Sequence, residues 1–72
     1  MTELNNEQID LIETVLNNIS KDIKKYLEAG DPEMLARACG KSVGADRILD
    51  VIGYDSVWDY DSERIFLRRK ES

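Results

Sequence analysis

The sequence predicts an α+β fold, mainly helical, in a single small domain spanning residues 1–72. Three observations predict it. Ile9, Ile12, Leu16, Ile19, Ile23 and Tyr26 alternate steps of three and four residues, the spacing of a helix face that packs along another helix. An Asp31-Pro32 pair and the glycines at 30, 40, 44 and 53 punctuate the middle of the chain into further helical segments. Beyond Gly53 the helical spacing gives way to two runs rich in β-branched and aromatic residues.

The first helix is expected over about residues 5–29. Asn5 or Asn6 caps its first free N–H groups, and Gly30 supplies the left-handed residue that stops it. Acidic residues crowd its first half and Lys21, Lys24 and Lys25 its second, which suits the helix dipole. A second helix is expected over about 32–39, with Asp31 as cap and Pro32 in the first turn, ending at Gly40. A third follows over about 45–52, where Ala45, Ile48, Leu49 and Ile52 share one face. The last stretch, about 56–69, reads as a β-hairpin built from Val57-Trp58-Asp59-Tyr60 and Arg64-Ile65-Phe66-Leu67. The alternative for that stretch is a helix, giving an all-α four-helix fold, because Ser56 or Ser62 could cap it and Arg68, Arg69 and Lys70 suit a helix end.

Helix, helix, short turn, helix and hairpin is an order that resembles a winged helix–turn–helix domain across the whole chain. The resemblance implies a DNA-binding regulator whose third helix reads the major groove. Here that helix carries Asp46, Arg47 and Asp50, and two carboxylates facing phosphates repel them. The likeness therefore bears on fold more than on function.

Charge sharpens the same conclusion. The chain has a formal net charge of −5, with ten basic and fifteen acidic residues. Residues 1–63 carry a surplus of eight negative charges, and the basic residues Arg64, Arg68, Arg69 and Lys70 sit together in the tail. An acidic body is a poor footprint for general nucleic-acid binding. No run of residues is apolar enough to span a membrane, and a cytoplasmic protein without a targeting segment is expected.

Candidate chemistry is sparse. Gly40-Lys41-Ser42 matches the end of a phosphate-binding loop, but Leu35 stands where that loop needs its first glycine. Asp59, Asp61 and Glu63 alternate as calcium ligands do, yet Arg64 and Lys70 occupy positions that an EF-hand loop gives to Gly and Glu. Cys39, the single cysteine, has no histidine in the chain to serve as its base and reads as a small buried hydrophobe. Arg64, Arg68, Arg69 and Lys70 with Trp58 and Phe66 could form a basic, aromatic surface for phosphates or bases. The plainer reading is that these charges balance Asp59, Asp61 and Glu63 across the hairpin. Trp58 is expected as a core anchor.

These residues point to a non-catalytic protein that uses no cofactor and no metal. A chain of this size buries only about 60% of its unfolded surface, so contact with another surface is an obvious source of further stability. The expectation is a homodimer formed by the first helix through Ile9, Ile12, Leu16, Ile19, Ile23 and Tyr26. Its function is that of an adaptor, regulator or inhibitor of another macromolecule. Asp46, Asp50, Asp55, Asp59, Asp61 and Glu63 are the candidate acidic surface for a partner protein with a basic face.

Overall fold

The computed structural model describes residues 3–70, within the predicted domain limits. It contains two helices, α1 (Asn6–Ala29) and α2 (Pro32–Ile52), followed by two strands, β1 (Tyr54–Asp59) and β2 (Arg64–Arg69). The strands pair antiparallel, with Tyr54 opposite Arg69 and Asp59 opposite Arg64. The mainly helical α+β architecture and the C-terminal hairpin agree with the sequence reading, and the helical alternative for the tail does not occur.

Helix α1 begins and ends as its sequence dictates. The Asn5 side chain accepts from the Gln8 N–H at 2.8 Å, and the Gln8 side chain accepts from the Asn5 N–H at 3.0 Å. Gly30 closes the helix at φ 67°, returning its N–H to the Leu27 and Tyr26 carbonyls. Asp31 then caps α2 by accepting from the Met34 N–H at 3.2 Å, with Pro32 in the first turn.

The expected second and third helices are one continuous helix. Gly40 and Gly44 lie inside α2 and do not end it. The physical reason is phase: Leu35, Ala38, Ser42, Ala45, Leu49 and Ile52 repeat the alternating three-and-four spacing of α1, with Ser42 as the single polar step. None of these six residues is exposed, and none of the six seam residues of α1 is exposed either. The two ladders run antiparallel about the Gly30–Asp31 turn, and Ile12 and Leu16 of one meet Ala45, Leu49 and Ile52 of the other in the core cluster. Tertiary packing thus outweighs two poor helix formers, each costing about 1 kcal/mol relative to alanine. A separate third helix, on which the winged-helix likeness rested, is not formed.

Gly53, at φ 88°, is the whole connection between α2 and β1. Leu16, Leu49 and Tyr54 form the buried centre, with Leu4, Ile12, Ala45, Ile52, Ile65 and Leu67 packed around it. The core sits between the helical layer and the inner face of the hairpin. Strand parity puts Tyr54, Ser56 and Trp58 on that inner face with Ile65 and Leu67, and Val57 and Phe66 on the outer one. Trp58 is not the expected core anchor: it is 41% exposed, against 6% for Tyr54. It lies at the far end of the strand, beside the polar stretch of α1 around Thr14, Asn17 and Lys21, with Tyr60 edge-on to its ring at 6.5 Å between centroids.

Candidate interaction surfaces

Helices α1 and α2 form one layer whose two faces differ. On the hairpin side, Asn17 is nearly buried and makes a two-way contact with the backbone of β2. Its amide donates to the Ile65 carbonyl at 3.0 Å, and its carbonyl oxygen accepts from the Ile65 N–H at 2.8 Å. One helical turn earlier, Glu13 accepts from the Leu67 N–H at 2.8 Å. Two side chains of α1 therefore stand in for a third strand along the outward edge of β2. No pattern in the sequence advertises this, because an Asn and a Glu beside an apolar seam read as ordinary solvated positions.

The opposite face of the layer carries uncovered apolar side chains toward the open end of the helix pair. Leu11 and Val15 lie on the flank of α1 turned away from Glu13 and Asn17. Ile48 and Val51 lie on the flank of α2 turned away from Asp46, whose carboxylate accepts from the Ser56 hydroxyl of β1 at 2.8 Å. These four apolar side chains are 62%, 54%, 66% and 84% exposed. Gly40 and Gly44 lie along the same helix, and a Cβ placed on either meets open space.

The sequence-predicted sites are redistributed. Leu16 is buried and Ile9, Ile12, Ile19, Ile23 and Tyr26 are half-buried, because α2 of the same chain lies against this seam. The large apolar residues of α1 left outside are Leu11, Val15 and Leu27.

The six acidic residues proposed for a partner surface do not form one face. Asp46, Asp50 and Asp55 gather where α2 meets β1. There Lys70 pairs with Asp50 and also approaches Asp55 at 3.7 Å, while Arg68 lies 3.9 Å from Asp55. Asp59, Asp61 and Glu63 lie around the hairpin turn, about 13 Å further along the strand. Asp59 folds back on that turn, accepting from the Ser62 hydroxyl at 2.8 Å and the Asp61 N–H at 3.1 Å. These bonds, the Ser62 hydroxyl first, hold its carboxyl below the ordinary aspartate value. Glu63 takes the left-handed conformation, at φ 53°, that closes the turn.

The basic tail is largely engaged within the chain. Arg68 and Lys70 have the partners just named, and Arg69 pairs with Glu3. Arg64 has no ion pair among the described residues. Trp58 and Phe66 lie on opposite faces of the hairpin, so the basic, aromatic surface considered from the sequence is not assembled.

Cys39, expected to be buried, is exposed. Gly40-Lys41-Ser42 lies within α2, where helical backbone cannot wrap a phosphate.

Comparison with known protein families, curated proteins and solved structures finds no match to this chain.

Proposed function

We propose that this chain is a small acidic, non-catalytic protein–protein interaction module. It works as a homodimer and binds and regulates another macromolecule. The observation that carries the reading is the uncovered apolar strip of Leu11, Val15, Ile48 and Val51 on the back of the helical layer. Contiguous exposed apolar surface on a small domain marks a contact face, since leaving it in water forgoes about 25 cal/mol for each Å² that could be buried. A second copy suits it well. Two such layers stacked back to back make a four-helix arrangement, and a two-fold axis lets one strip serve both partners.

The test is the oligomeric state. Analytical ultracentrifugation at high micromolar concentration is expected to give a dimer. A Val15→Glu/Ile48→Glu variant is expected to sediment as a monomer while keeping its helical circular dichroism and cooperative melting. A wild-type protein that stays monomeric at that concentration overturns the dimer. A dimer that survives both substitutions moves the interface elsewhere.

A further inference from the structure

The two edges of the hairpin are treated differently by the fold. Along β2 the outward N–H groups of Ile65 and Leu67 and the Ile65 carbonyl are all taken by Asn17 and Glu13. Register then fixes the other edge. Trp58 lies opposite Ile65 and Ser56 opposite Leu67, so the backbone groups of Ser56 and Trp58 point away from β2 in the opposite direction. Those groups have no hydrogen-bond partner among the described residues. Strand β1 also carries no proline or lysine, two of the residues that commonly blunt an open edge. Beside it runs a groove whose other wall is the flank of α2 bearing Val43, Asp46, Arg47 and Asp50.

We infer that this edge is a docking site for an extended basic segment of another protein, which adds to the hairpin as a third strand alongside β1. Backbone hydrogen bonds to Ser56 and Trp58 supply the pairing, and charge supplies the choice of occupant. A strand laid here presents alternate side chains to two faces. Those on the inner side hang over Asp46 and Asp50. Those on the outer side stand beside Asp55 and Asp59, with Val57 between them. Lys70 and Arg68 already offset part of the charge at the Tyr54 end, Arg64 stands across the ladder from Asp59, and Arg47 is the cation of the α2 wall. Asp46 and Asp59 have no ion pair among the described residues. A second copy is the wrong occupant: antiparallel pairing of β1 with itself doubles the carboxylates around one ladder, between chains that each carry a net charge of −5. The site does not depend on the back-face dimer.

Amide hydrogen exchange followed by NMR tests it. In the free protein the Ile65 and Leu67 amides are expected to exchange slowly and those of Ser56 and Trp58 fast. The probe is a blocked short peptide of alternating lysine and valine, compared with its glutamate–valine counterpart and with a lysine–valine peptide N-methylated on alternate residues. The lysine peptide is expected to slow exchange at Ser56 and Trp58, and the other two are expected to leave it unchanged. An Asp46→Asn/Asp55→Asn variant keeps side-chain acceptors at both positions and is expected to bind the lysine peptide about tenfold more weakly. The Val15→Glu/Ile48→Glu variant is expected to bind it normally, which separates this site from the dimer. Slow exchange at Ser56 in the free protein that speeds up on dilution means a second copy holds the edge and overturns the proposal. Equal protection by the acidic or N-methylated peptide, or protection by none, overturns it as well.

Discussion

Helices α1 and α2 have similar lengths and matching ladders, yet they are held in different ways. Helix α1 has a reciprocal cap, an unbroken apolar seam and two polar side chains bonded to a strand. Helix α2 has two glycines in its interior and one polar rung. The difference teaches that a helix can be specified either by its own sequence or by the surface it lies against. Helix α1 is of the first kind and α2 of the second. A chain with only the local signals of α2 would stop near Gly40, but the ladder of α1 runs past that point and carries α2 with it.

The largest test of this contrast is the centre they share. Leu16→Ala and Leu49→Ala each remove a nearly buried side chain from the same cluster, and each is expected to cost about 2–5 kcal/mol in urea unfolding. Because α2 depends on the surface it packs against, Leu16→Ala on α1 is expected to lower protection of the α2 amides as well. Protection lost only within α1 would show that α2 holds itself together.

Next in size is the polar tie peculiar to α1. Asn17→Ala leaves the Ile65 N–H and carbonyl without their partner in a half-buried setting, an expected loss of about 1–3 kcal/mol. Asn18, one residue on and exposed, provides the control, and Asn18→Ala is expected to be close to neutral.

The interior glycines of α2 should respond in the opposite direction. A Cβ at Gly40 or Gly44 meets nothing, and both backbones are helical, so Gly40→Ala and Gly44→Ala are each expected to stabilise by roughly 0.5–1 kcal/mol. A rise in melting temperature measures it. Stabilisation of the monomer together with weaker dimerisation would place these glycines under the second copy.

The smallest effect lies outside both helices. Asp59 is partly exposed at the end of β1, and its folded-state pKa is lowered by the Ser62 and Asp61 bonds. A depressed carboxylate contributes stability above its unfolded-state pKa and loses it as pH falls through the folded-state value. Asp59→Asn is therefore expected to be slightly less stable than the wild type near neutrality, with the difference closing as pH falls below the ordinary aspartate range.

Sequence made α1 legible almost to the residue, because its seam, its cap and its terminating glycine all agree. The hairpin was legible in kind for a similar reason: Val57, Trp58, Ile65 and Phe66 favour strands, and a polar stretch separates the runs. Its parity was harder to read, since the strand begins at Tyr54, just past the glycine, and Trp58 consequently faces a polar part of α1. Helix α2 reads from the sequence as two helices because Gly40 marks a stop and Gly44 a new start, although the spacing from Leu35 to Ile52 never loses phase. The candidate surfaces were less legible still. Leu11 and Val15 carry no mark distinguishing them from the seam, and which stripe faces inward is settled only once α2 has a place. Asn17 and Glu13 bind residues 48 and 54 positions away, and nothing local encodes such a pairing.

That long reach also shapes how the molecule comes together in time. Helix with helix, helix with strand and strand with strand each join neighbours along the chain, and such contacts form quickly. The link from α1 to β2 closes the circle, with the Arg69–Glu3 pair and the Leu4 N–H bond to the Tyr54 hydroxyl beside it, and its loop-closure entropy must be met before the bonds of Asn17 and Glu13 repay it. It is accordingly expected to be the last latch to engage and the first to slip. Loosening it should hasten unfolding and leave the folding rate nearly untouched. While the latch is open, β2 is as bare as β1, so each brief opening gives the chain two sticky margins. The lifetime of that state, more than the overall stability, is then expected to set how readily neighbouring molecules catch on one another.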